Sequence, residues 1–314
     1  MTKILVIGAA GMIGRKLVRQ LAGEELILHD AVPFDGSTRV SDLSAPGEAE
    51  KLVASRPELI FHLAAVVSGE AEADFEKGYR VNLDGTRRLF EAIRKENYRP
   101  RVVFTSSIAV FGAPFPEAIG DEFLSAPLTS YGTQKAIGEL LLSDYSRRGF
   151  FDGIGIRLPT ICVRPGKPNQ AASGFFSGII REPLAGQEAV LPVPETVRHW
   201  FASPRAAIGF LLHASRIDTG RLGARRNLSM PGVSATVGEQ IAALRKLAGE
   251  KAAKLIRREP DPAIMRIVEG WPRNFDAERA ASLGFRADSS FEDIIRAHIE
   301  DELQGSCAPR PARA

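Results

Sequence analysis

The chain has two cysteines in 314 residues, Cys162 in an apolar stretch and Cys307 near the C-terminal end. That spacing suits neither a disulfide framework nor a thiolate metal site, and Cys162 is expected in the core. Five histidines, His29, His62, His199, His213 and His298, show no ligand pairing at helical or loop spacing, so no metal is expected. No apolar run approaches the roughly 20 residues of a membrane span. Met1-Thr2-Lys3 leads into an apolar run too short for a signal-peptide core, which places the expected chain in the cytoplasm, off the membrane. The net charge of +3, with 25% charged residues, comes without a basic run or an aromatic stripe, so nucleic acid is not an expected partner. Internal repeats and a Gly-x-Ser-x-Gly elbow are also missing, and the latter sets aside the hydrolases built on that turn.

What is present is a core-forming composition, 44% hydrophobic, in which strand and helix patterns alternate. Such alternation predicts an α/β fold, a doubly wound parallel sheet. Lys3 to Ile7 is a short apolar run fit for a buried strand, followed by Gly8-Ala9-Ala10-Gly11-Met12-Ile13-Gly14 and an amphipathic helix, Met12 to Leu21. A helix N-terminus reached through glycines offers free N–H groups and a positive dipole end to a pyrophosphate. The spacing is Gly-x-x-Gly-x-x-Gly, one of several arrangements allowing that close approach. A second strand, Glu25 to Asp30, ends on an acid about twenty residues farther on, where a carboxylate would hydrogen-bond the adenosine ribose. Ala31, Val32 and Pro33 supply no base for a 2'-phosphate, which favours NAD over NADP, with Arg15 the one cation nearby.

Tyr131 and Lys135 are four residues apart in Ser130-Tyr131-Gly132-Thr133-Gln134-Lys135, hence on one helical face. A lysine charge beside the phenol is expected to lower its pKa and make it a general base. Ser107, closing the strand-like Val102 to Ser107, is placed to hold the substrate oxygen while Tyr131 takes its proton. The catalytic candidates are therefore Ser107, Tyr131 and Lys135, with the hydride passing to a nicotinamide.

With these motifs in order, the chain resembles the extended short-chain dehydrogenase/reductase family, which includes the nucleotide-sugar epimerases, over nearly its whole length. The resemblance implies a Rossmann-like domain over residues 1–158, a smaller substrate-binding lobe over 159–303 that partly returns to the first domain, and a disordered tail, 304–314. It also implies NAD contacts at Gly8, Gly11, Met12, Ile13, Gly14, Asp30, Asp42, Leu43, Leu63, Ala64 and Ala65, with Tyr131 and Lys135 at the nicotinamide ribose. Asn82-Leu83-Asp84-Gly85-Thr86 matches a helix motif that braces the central strands. Pairing of that helix and the Tyr131 helix across two copies makes a homodimer the implied assembly.

The substrate side departs from the nucleotide-sugar members, with Thr160 where they carry asparagine and Val193 to Arg198 in place of their hairpin. Cations and polar groups collect there instead: Arg164, Lys167, Asn169, Ser173, Arg198 and Arg205. Ser107, Thr160, Asn169 and Arg198 are the substrate-binding candidates, Arg198 as the carboxylate clamp. The expected reaction is NAD-dependent oxidation of a secondary alcohol in a small anionic, polyhydroxylated sugar acid. A nucleotide-sugar epimerase with tightly bound NAD and a non-catalytic dinucleotide sensor are the alternatives.

Overall fold

Leu5, Val6 and Ile7 are fully buried although side chains alternate along a strand, so the first strand must be covered on both faces. In the computed structural model, which describes residues 1–166 and 172–304, it is an interior strand of a parallel sheet. The strands are β1 (Lys3–Ile7), β2 (Glu25–Asp30), β3 (Arg39–Val40), β4 (Leu59–His62), β5 (Arg101–Ser107), β6 (Asp152–Leu158), β7 (Thr160–Ile161), β8 (Ala189–Leu191), β9 (Arg198–Ala202), β10 (Asn227–Ser229), β11 (Val233–Thr236) and β12 (Ile256–Arg258). Seven form the main sheet in the order β10-β6-β5-β4-β1-β2-β3, every pair parallel. The chain winds outward from β1 in both directions, so the order reverses between β1 and β4. The carboxyl ends of those strands frame the crevice where such sheets bind ligands.

The second lobe is built from a three-stranded sheet, β11-β9-β7, and the pair β12-β8. Cys162, Phe176, Ile180, Phe201, Ile241 and Ile295 belong to its core. Helix Pro204–Arg216 and β10 return to the first core, where Phe210 and Leu228 pack with Val6 and Phe61. No helix among the described residues is long and apolar enough to cross a membrane, and no cluster of three or more His, Cys, Asp or Glu could hold a metal. Asn169, Lys167 and the tail from residue 305 lie outside the described residues.

Three local devices aim the site. Thr129 caps helix Ser130–Arg147 by accepting the Gly132 N–H, which puts Tyr131 in its first turn, at the mouth of the crevice. Gly138 lets that helix lie against β5, since a Cβ there would meet the Phe104 ring at 2.8 Å. The Asn82 motif braces β4 and the same helix: its side chain accepts the Val66 N–H and donates to Val66 O and to Gln134 Oε1.

Candidate active site

The carboxyl ends of the central strands open into a cavity of about 520 Å³, within the range of small-molecule sites. Ser107, Tyr131 and Lys135 all line it. Lys135 Nζ donates to Thr105 O at 2.8 Å and lies 5.8 Å from the Tyr131 ring centre and 4.9 Å from that of Phe104. Burial pushes the Lys135 amine down to about 8, opposed by the carboxylate of Glu139. That carboxylate accepts from Ser106 Oγ and from two Arg157 nitrogens, an anchored ion pair directly behind the catalytic candidates. Ser107 Oγ accepts the Ala109 N–H, leaving its own proton free to be donated into the cavity.

The phenol corrects an expectation. Its pKa is raised, because burial strips water from the phenolate; the Ser107 hydrogen bond and the Arg164 charge pull the other way. The cation whose charge opposes that rise is Arg164.

The glycine loop fits a dinucleotide phosphate. Gly8 is in the left-handed region at φ +90°, and a Cβ there would meet Ala64 N at 2.6 Å. Gly14 is tighter, its Cβ falling 2.2 Å from Gly8 O. These two glycines join β1, the helix and the end of β4. Gly11 differs: its nearest protein atom would be Gly8 O at 3.4 Å, its φ is an ordinary −64°, and it caps the helix with no side-chain bond. The space a Cβ would take there is the cavity that Gly8, Gly11, Met12, Ile13 and Gly14 line. Gly11→Ala should accordingly keep its melting temperature and lose NAD affinity at least tenfold. Gly14→Ala should lower stability by about 1–3 kcal/mol through overpacking. Titration of NAD into both variants alongside thermal melts separates the two; equal NAD affinity in Gly11→Ala would contradict the cradle.

Asp30 closes β2 beside this loop, with Oδ2 accepting the Ala10 N–H at 2.8 Å and Oδ1 the Val32 N–H at 3.3 Å. Arg15 is held by Ala10 O. Leu63 and Ala65 line the cavity, while Ala64 backs Gly8. Asp42 and Leu43 lie beyond the cavity lining. Asp42 accepts from Ser44 and Arg80, which hold its carboxyl below the usual range against the opposing effect of desolvation, and Leu43 is a core side chain.

From the second lobe, Thr160, Arg164, Ser173, Ser177, Arg181 and His199 line the cavity. Arg164 is anchored through Nε to Ile161 O at 3.1 Å, and no carboxylate among the described residues pairs with it. Arg198, the expected clamp, does not line this cavity. On a strand, successive side chains point to opposite faces. In β9, His199 and Phe201 face the core of the second lobe, so Arg198 and Trp200 face away. Arg198 reaches Ser234 and Glu239 and lines a separate cavity. Arg205 is also elsewhere, paired with Glu300 and Asp301. His199, named in the sequence only as a non-ligand, is one of the lining residues that pattern reading missed, with Ser177 and Arg181; its partners, Thr160 and Pro272, are 39 and 73 residues away.

Comparison with known proteins agrees with this geometry. Residues 4–221 match the NAD dependent epimerase/dehydratase family. The chain belongs to that family. Two curated relatives carry the name D-erythronate dehydrogenase: one from Cupriavidus necator, 46% identical over 95% of this chain and 98% of its own, and one from Haemophilus influenzae, 41% identical over 96% and 100%. A solved structure described as the nucleoside-diphosphate-sugar epimerase from Agrobacterium tumefaciens is 67% identical, with a TM-score of 0.92 over 98% of this chain and 96% of that one. As a member of the family, the protein is an NAD-dependent oxidoreductase with a Rossmann-like fold.

Proposed function

We propose that the protein oxidises the C2 hydroxyl of D-erythronate, a four-carbon sugar acid, to the 2-keto acid, with NAD as acceptor. The observation that carries this reading is that Arg164 lines the same cavity as Tyr131, where its charge favours the phenolate. In a 2-hydroxy acid the carboxylate is bonded to the carbon being oxidised, so its counter-ion must lie close to the base that takes the hydroxyl proton. Arg164 meets that requirement; a guanidinium holds a carboxylate through two parallel hydrogen bonds.

In this mechanism Arg164 holds the substrate carboxylate, and Ser107 donates to the hydroxyl oxygen and fixes its direction. Tyr131 removes the hydroxyl proton as the hydride leaves C2. Lys135 keeps a positive charge under the ring and binds the nicotinamide ribose. Bound NAD supplies the hydride acceptor. The Gly8–Gly14 loop with Met12 and Ile13 would hold the pyrophosphate, Asp30 the adenosine ribose, and Leu63, Ala64 and Ala65 the wall beside the ring, while Asp42 and Leu43 would border the adenine. Residues 1–158 would thus serve the cofactor and 159–303 mainly the substrate. We place the protein in the cytoplasm as a homodimer paired through helices Gly85–Glu96 and Ser130–Arg147, where Leu140 is 71% exposed.

The name of the Agrobacterium tumefaciens relative favours a second reading, sugar epimerisation. An epimerase returns the hydride to its substrate and releases no NADH. Thr160 in place of the nucleotide-sugar members' asparagine speaks against it. Absorbance at 340 nm with NAD and D-erythronate, against UDP-glucose and UDP-galactose, tests the choice: steady NADH release is expected with the acid alone. Interconversion of the two UDP-sugars without NADH would establish the epimerase instead.

A further inference from the structure

Thr160 and His199 form a pair in the cavity wall whose hydrogen-bonding sense is fixed from behind. His199 Nδ1 lies 2.7 Å from Pro272 O, and a carbonyl only accepts, so Nδ1 carries the proton. Burial holds the imidazole neutral, its pKa pushed down to about 4. Nε2 is then a bare acceptor, and the Thr160 hydroxyl at 2.7 Å must donate to it. The ring is clamped in that orientation: it stacks on Phe176 at 5.3 Å with 4° between planes and meets Trp271 at 5.3 Å. With its single proton committed, Thr160 Oγ1 has only lone pairs to offer the cavity.

We infer that His199 is a positioning residue that turns Thr160 into a dedicated acceptor, so the cleft selects an acid bearing a hydroxyl beyond C2 and admits no carboxylate at that end. A carboxylate has no proton to give Thr160, whereas a sugar hydroxyl does. The pair also sets the substrate's direction: carboxylate to Arg164, polyol end to Thr160. The inference rests on the C2-oxidation reading above.

The test compares kcat/KM for D-erythronate with that for 2-hydroxybutanoate of the same C2 configuration, which lacks the outer hydroxyls. Wild-type protein should prefer D-erythronate. His199→Phe keeps a ring against Phe176 but frees the threonine proton, so the preference should fall about tenfold, the value of one hydrogen bond of about 1.4 kcal/mol. The loss should lie mainly in KM for D-erythronate, with kcat/KM for 2-hydroxybutanoate falling less. Thr160→Val should collapse the preference equally, Thr160→Ser should retain it, and the double variant Thr160→Val/His199→Phe should lose no more than either single one. An unchanged preference in a His199→Phe protein that melts normally and binds NAD would overturn the inference. If His199→Phe does not fold, the Thr160→Val and Thr160→Ser pair decides by the same criterion. Wild-type protein that makes no NADH from D-erythronate would instead sink the C2-oxidation reading, and the inference with it; an active wild type with an indifferent Thr160 sinks the inference alone.

Discussion

Tyr131→Phe is expected to lower kcat by roughly 10²- to 10⁴-fold while NAD binding survives, the effect of removing a general base. The phenylalanine ring retains the packing under Lys135, so only the proton acceptor is lost. The phenol also fixes a pH dependence. Its pKa is raised by burial, and only the phenolate can accept a proton, so alcohol oxidation should speed up as pH rises through the neutral range. That climb should vanish from whatever activity Tyr131→Phe keeps. Steady-state rates from pH 6 to 9 for both proteins, with NAD binding measured in parallel, provide the check. Near wild-type turnover in the variant would remove Tyr131 from the chemistry.

Arg164→Ala is expected to raise KM for the sugar acid about thirtyfold, corresponding to about 2 kcal/mol for a charge-assisted clamp, with KM for NAD unchanged. Lysine should recover less than half of that loss, because a point charge cannot reproduce a two-pronged contact. A second readout follows from the Arg164 charge opposing the rise in the phenol's pKa. Its removal should move the acid limb of the rate profile to higher pH. Arg198→Ala belongs beside it as the control, since that guanidinium faces Ser234 and Glu239. A normal KM in Arg164→Ala with a large rise in Arg198→Ala would return the clamp to Arg198.

The contrast between those two arginines marks where sequence reasoning runs out. The strands Lys3–Ile7 and Glu25–Asp30 were legible to the residue, because an apolar run bounded by glycines, and another ending on an acid, are local signals. The Tyr131–Lys135 pair was legible for the same reason: helical spacing alone puts them on one face. Arg198 and His199 are neighbours in a segment where Arg-His-Trp-Phe offers a polar and an aromatic group to each face. Nothing local says which face meets the cleft. The pairing of β9 with β7 and β11 decides it, and those partners lie tens of residues away. The acidity of Tyr131 was misread on similar grounds, since spacing places a lysine near the ring, while burial is set by segments from Ser107 to Arg164.

The central claim, oxidation at C2 with the hydride passing to NAD, is tested most directly with D-erythronate carrying deuterium at C2. One deuterium should appear in NADH for each molecule of 2-keto acid formed, and Tyr131→Phe should slow both together. Deuterium retained in the carbon skeleton while unlabelled NADH accumulates would put the oxidation at another carbon and contradict the account.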